Sequence, residues 1–361
     1  MDFTGLLARL GGGRRLVRLT VELTHRCNFA CPHCYCRIAP DSPRRLEEQS
    51  GKEWTRIIDE AAAEGAFFIL FTGGEPLLHP EFRTIWVAAK RAGLIPELFT
   101  NGSLITEEMA DFLAEWPPQQ VSVTLYGSDA ETYATMTGGR GTLSKVLNGL
   151  DLLLARQIKV EVKGLLTRLN SHDFDRLREL CARYQENFIW SAELAGPTPG
   201  SDGEPRGVAL TAAEVVALEQ RDPVRWNEWV KVLSSWQAAE TKCDDRLFRC
   251  NAGKSECHVD PYGRLSPCLM LDTIGYDVRN GQLREGWRHT PELLSSITWK
   301  PGSCQRCTLG EVCRICPAVA IRQGAPAAGP TALHCALGKT RTELFGIPAR
   351  PAALMNQEEA R

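Results

Sequence analysis

No stretch of this 361-residue sequence is apolar for long enough to span a membrane, and its opening run, Met1 to Leu10, is too short and too interrupted for a secretory hydrophobic region. A soluble, cytoplasmic protein without membrane contact is therefore expected. Charge of one sign is also scarce: a formal net charge of −2 and no long Lys/Arg stripe leave no electrostatic footprint for nucleic acid, which argues against an enzyme acting on tRNA. No internal repeat or low-complexity block occurs, so nothing suggests a repeat array.

What is present in excess is cysteine. Fourteen cysteines in a chain without a secretion signal point to metal ligation or redox chemistry before disulfides, because the cytosol keeps thiols reduced. Eleven fall into two groups: Cys27, Cys31 and Cys34 near the start, and Cys250, Cys257, Cys268, Cys304, Cys307, Cys313, Cys316 and Cys335 near the end. Cys36, Cys181 and Cys243 match no partner and read as structural or incidental.

From about residue 16 to 195, short β-rich runs alternate with helical stretches, the pattern of successive βα units on a parallel sheet. Strands are expected at 17–23, 67–71, 96–99, 120–125, 160–166 and 188–193. Ser50 with Glu53 and Thr211 with Glu214 make capping boxes, and Thr106 precedes two acidic residues, so each starts a helix. Residues 196–207, crowded with Gly and Pro, read as a linker. Trp226, Trp229, Val230, Leu233 and Trp236 are expected on one packing face of a later helix.

Three thiolates spaced as Cys27-x3-Cys31-x2-Cys34 hold three corners of a four-iron cluster and leave one iron open, which separates a reactive cluster from a closed electron-transfer one. About forty residues on, Phe67 to Phe71 runs into Thr72-Gly73-Gly74-Glu75-Pro76. The two motifs in this order resemble the CxxxCxxC and GGEP signatures of the radical S-adenosylmethionine (SAM) superfamily. Both sit after strands, where parallel α/β barrels build their active sites. The competing reading is half a zinc site followed by an ordinary strand-to-helix turn.

The resemblance implies an α/β fold: a partial (β/α)6 TIM-like barrel followed by a small cysteine-rich domain. The expected division is an N-terminal extension 1–15, the barrel 16–200, linker and bridging helices 201–242, the cysteine-rich domain 243–340 and a tail 341–361. It also implies that SAM binds the open iron, with Gly73, Gly74 and Glu75 at its methionine amine, Ser122 near its ribose or carboxylate, Lys163 beside its adenine and His33 packed near it. No catalytic residue beyond the SAM cluster is identified.

The second cysteine group resembles the SPASM domain appended to some radical SAM enzymes, except that Cys313 and Cys316 are separated by two residues where three are usual. Eight thiolates are what two fully ligated four-iron clusters require, giving three [4Fe-4S] clusters in all. By resemblance, Cys250, Cys257, Cys268 and Cys316 hold the first auxiliary cluster and Cys304, Cys307, Cys313 and Cys335 the second. If Cys257 is free, the first auxiliary cluster has an open iron. Considered alone, Cys304-x2-Cys307 and Cys313-x2-Cys316 could also form a zinc ribbon.

Relatives of this kind modify peptides, so the resemblance implies an enzyme that reductively cleaves SAM to a 5′-deoxyadenosyl radical and oxidises or cross-links a ribosomally made precursor peptide. Leu269 follows Cys268 where sulfatase maturases carry a catalytic Asp, which disfavours that variant. A flavodoxin- or ferredoxin-type reductant is implied, and a discrete peptide-recognition protein is expected because few residues precede Cys27. The alternatives are a radical SAM dehydrogenase acting on a free alcohol or sugar derivative, and a non-catalytic zinc-bound scaffold.

Overall fold

The computed structural model describes residues 14–238, 248, 250–297, 304, 307, 309–324 and 329–345. Residues 1–13 of the expected extension, residues 239–242 of the bridging segment, Cys243 and the tail from residue 346 lie outside the described residues.

Six strands follow one another in parallel: β1 Arg18–Thr24, β2 Phe68–Gly73, β3 Ile95–Thr100, β4 Val121–Leu125, β5 Val160–Leu165 and β6 Ile189–Ser191. All six expected strands are found within a few residues. The sheet does not close, because β6 remains at one edge. At the other end β1 pairs in parallel with β7 Glu256–Val259, which continues antiparallel into β8 Arg264–Ser266 and β9 Tyr276–Asp277. The cysteine-rich region thus enters the barrel's own sheet beside β1.

Strand alternation separates two faces. Leu19, Val21 and Leu23 point from β1 into the main apolar core with Trp54, Ile57, Ile58 and Ala61 of the helix Gly51–Ala63. Each fully buried aliphatic side chain of this kind contributes about 1.5–3 kcal/mol relative to exposure. The helix starts where it does because Ser50 and Glu53 form a reciprocal capping box, and Thr211 and Glu214 repeat it before Ala212–Arg221. Thr106 caps Glu107–Glu115.

The opposite face carries polar groups that pair across strands or along one strand. Arg18 binds Glu97 at 2.8 Å, and Glu161 binds Lys163 at 2.8 Å. This face supplies the floor of the site.

The helix Pro223–Ala238 buries Trp229 and Leu233 against Val312, and Trp226 stacks on Phe345 at 4.6 Å. Val230 does not share that face: it is 39% exposed, because one residue turns the helix about 100° away from Trp229.

Candidate active site

The two motifs meet through their backbones. Gly74 N–H donates to the Thr24 carbonyl at 2.7 Å and Glu75 N–H to the Arg26 carbonyl at 2.8 Å. Only glycine allows this approach: a Cβ on Gly73 would lie 2.3 Å from the Thr24 oxygen, and one on Gly74 would lie 2.3 Å from the Arg26 oxygen. Gly73 also adopts φ +124°, a conformation that L side chains rarely take. The glycines expected at the SAM amine therefore have a prior task, which is to lock the β2 loop against the loop that carries the cysteines.

Glu75 extends the lock to β3. Its fully buried carboxylate accepts the Leu77 N–H at 3.1 Å, the Thr100 hydroxyl at 2.8 Å and the Asn101 N–H at 2.7 Å. Burial raises it to about 7 even though those three donors oppose the shift. Asn101, not singled out from the sequence, then reaches Cys27: its side-chain amide donates to the Cys27 sulfur at 3.8 Å and to Asn28 at 2.8 Å. Its one sequence signal is a Thr-Asn-Gly-Ser turn directly after an apolar strand.

Cys27 and Cys31 are buried and Cys34 is half-buried. Burial, then the Glu75 carboxylate, pushes Cys27 up to about 12; burial, then the thiols of Cys34 and Cys27, raises Cys31 well above its ordinary range. A hydrogen bond from Cys36 lowers Cys34 to about 7 and, with burial, raises Cys36. Cys36 is thus a neighbour of the triad. The Cys27 sulfur also accepts the Phe29 N–H at 3.4 Å.

Beside the triad lies an aromatic wall. The His33 ring is 4.9 Å from Tyr126, which is 6.0 Å from Tyr133, which is 6.4 Å from Phe29. Burial lowers His33 to about 4, so it is neutral, and its Nδ1 and the Tyr133 hydroxyl are buried without a hydrogen-bond partner. Buried polar atoms left in this state cost about 1–3 kcal/mol each until something satisfies them. Ser122 and Lys163 are brought together by Glu161, which accepts the Ser122 hydroxyl at 2.9 Å and pairs with Lys163; the ammonium also sits 3.7 Å from the Phe99 ring centroid.

Residues 196–207 are not a free linker. Thr198 N–H donates to the Tyr35 carbonyl at 2.7 Å and Asp202 N–H to the Arg37 carbonyl at 2.8 Å, so the segment lies across the cysteine loop.

Cys268 feels the thiols of Cys316 and Cys250, and Cys313 feels those of Cys307, Cys304 and Cys335. The setting of Cys257 is different. β7 registers it opposite Leu19 of β1, and its side chain falls in the main apolar core with Leu265, Leu283 and Trp287. Burial pushes it up to about 12, and the charged groups acting on it are Arg14 and Glu256. Strand alternation decides this, since His258, the next residue, faces the polar side.

Cys268 accepts the Met270 N–H and Cys307 the Leu309 N–H, each at 3.4 Å, repeating the Cys27 to Phe29 arrangement of sulfur and the amide two residues on. Such bonds hold thiolates ready for iron and tune a bound cluster. Among the described residues no three His, Cys, Asp or Glu side chains close around a single metal ion.

Comparison with known proteins matches residues 21–183 to the radical SAM superfamily. The chain is 26% identical over 325 residues to an AdoMet-dependent heme synthase of Nitratidesulfovibrio vulgaris, with 82% of this chain and 86% of that protein covered. It is 26% identical over 359 residues to a PqqA peptide cyclase of Xanthomonas euvesicatoria pv. vesicatoria, with 94% of each covered. Streptococcus suis SuiB bound to precursor peptide SuiA shares the fold, with a TM-score of 0.64 at 16% identity over 91% of this chain and 78% of SuiB. Residues 21–183 thus carry a radical SAM domain. Such a domain implies an iron-sulfur enzyme that uses SAM and a [4Fe-4S] cluster. The three thiols, the N–H donors on Cys27 and the orphaned His33 and Tyr133 atoms fit those two groups.

Proposed function

We propose that this radical SAM enzyme oxidatively modifies or cross-links a ribosomally made precursor peptide. The observation that carries the chemistry is the junction at the strand ends, where Asn101 joins Cys27 to Glu75 beside the partnerless atoms of His33 and Tyr133. When bound, the cluster and SAM supply a 5′-deoxyadenosyl radical that abstracts hydrogen from an unactivated carbon. Cys27, Cys31 and Cys34 would hold the cluster, and Gly73 to Glu75, with His33 and the Ser122–Glu161–Lys163 group, would bind and orient SAM. The segment 196–207 would keep water from the cluster loop.

Cys250, Cys268 and Cys316 would hold a first auxiliary cluster with one iron lacking a protein thiolate, and Cys304, Cys307, Cys313 and Cys335 a second. Both would take electrons from the oxidised substrate. A flavodoxin- or ferredoxin-type reductant and a discrete peptide-recognition protein belong to the same proposal, as does the domain division given above. Support for a peptide comes from the peptide cyclase matched over 94% of both chains. The heme synthase favours a second reading, a free small molecule as substrate.

The test is iron, zinc and sulfide content after anaerobic reconstitution, with 5′-deoxyadenosine formation, in the wild type and the Cys27/Cys31/Cys34→Ala variant. About twelve irons falling to about eight, with cleavage lost, is expected. About four irons in the wild type overturns the auxiliary clusters, and zinc without iron overturns the enzyme. Co-expression with a short peptide encoded beside the gene then separates the substrates: hydrogen loss from the peptide supports the first, and an unmodified peptide the second.

A further inference from the structure

Glu22 is a carboxylate buried at the inner end of β1, and three side chains donate to it. Tyr35, next to Cys34, donates its hydroxyl to Oε1 at 3.0 Å, while His25 and His258 each place Nε2 at 3.1 Å from Oε2. His258 lies on β7, in the cysteine-rich region, and its Nδ1 is 3.0 Å from the Ser266 hydroxyl on β8. Ser266 in turn donates to the backbone carbonyl of Cys268 at 3.0 Å. Ser266 thus stands between the His258 ring and the Cys268 carbonyl.

Four consecutive hydrogen bonds therefore run from the neighbour of a SAM-cluster cysteine to a cysteine of the first auxiliary group. Glu22, His25, His258 and Ser266 are each no more than 3% exposed. A carboxylate held between two imidazoles away from water is costly to desolvate, and two packed apolar residues would join β1 to β7 as well or better. What the polar chain adds is polarisability: each bond strengthens the next, so a change at one end is felt at the other.

We infer that the Tyr35–Glu22–His258–Ser266 chain is a positioning joint that couples the SAM-cluster loop to the loop of the auxiliary cluster on Cys268. The inference rests on the cluster assignments proposed above. Without the Tyr35 hydroxyl, Glu22 concentrates its charge on the two imidazoles, His258 is drawn toward it, and the Ser266 bond to Cys268 changes. The potential of a cluster follows the hydrogen bonding and charge around its cysteines.

Tyr35→Phe removes one hydroxyl and keeps the ring, and Ser266→Ala cuts the chain at its other end. Wild type, both single variants and the double variant are reconstituted as full chains, analysed for iron and sulfide, and titrated under EPR. The expected result is unchanged iron with a shift of the auxiliary cluster's potential in Tyr35→Phe. A tenfold change in its oxidation equilibrium corresponds to about 59 mV for one electron. The two single shifts should also fail to add in the double variant.

An unchanged auxiliary potential in Tyr35→Phe with full iron overturns the joint, as do shifts that simply add. About four irons in the wild type overturns the cluster assignment itself, and the joint with it. If Tyr35→Phe loses iron, Glu22→Gln, which keeps the side-chain shape and removes the charge, takes its place under the same criteria.

Discussion

The backbone N–H of Asn101 donates to the Glu75 carboxylate at 2.7 Å, so the ends of β2 and β3 are fixed to each other at the point where Asn101 also touches the Cys27 sulfur. Replacing Glu75 by Ala would leave the Asn101 amide, the Leu77 amide and the Thr100 hydroxyl without an acceptor in a buried place. Each orphaned donor costs about 1–3 kcal/mol, so Glu75→Ala is expected to lose at least about 3 kcal/mol. Urea denaturation followed by circular dichroism reads this; a loss below about 1 kcal/mol would mean that the junction is not held by this carboxylate.

Cys257 gives the sharpest contrast among the cysteines. Packed in the main core, it is expected to be replaceable by Ala with iron content unchanged and stability lowered by about 1 kcal/mol, the loss of one buried group. Cys268→Ala should instead lower iron. Equal iron loss in the two variants would return Cys257 to the ligand set.

Gly203 packs where no side chain fits, since a Cβ there would lie 2.0 Å from the Cys34 carbonyl. Gly203→Ala must push the covering segment off the cysteine loop. The reconstituted variant should lose its iron-sulfur absorbance in air several-fold faster than the wild type. Equal decay would show that this segment does not shield the cluster.

His79 makes stability pH-dependent. Burial lowers its pKa, and its ring is neutral: Nε2–H donates to the Gln49 carbonyl at 3.1 Å and Nδ1 accepts the Glu81 N–H at 3.2 Å. The unfolded ring takes a proton near its ordinary value of 6.5, whereas the folded ring resists it. The unfolded state therefore holds more protons as pH falls, and the contribution of His79, complete above pH 6.5, declines below it by up to about 1.4 kcal/mol per pH unit. Denaturant midpoints at pH 7.5 and 5.5 should differ less in His79→Asn than in the wild type. An equal difference would remove His79 as the source.

Much of the scaffold is legible in the sequence. The six strands announce themselves as apolar runs, and Ser50 with Glu53 or Thr211 with Glu214 mark helix starts because capping depends only on residues three apart. Val230 leaves the packing face because one residue turns the helix about 100° from Trp229. Glu22, Tyr35 and Asn101 carried no comparable signal: their partners lie 236, 13 and 74 residues away.

The sequence by itself determined the local elements and the chemistry available, because strand periodicity, caps and cysteine spacing are all short-range properties. Only the tertiary structure decided which way the buried side chains of β1 and β7 point. Cys257 turns into the core because β7 adds to β1 in a register that alternation imposes on every side chain along it.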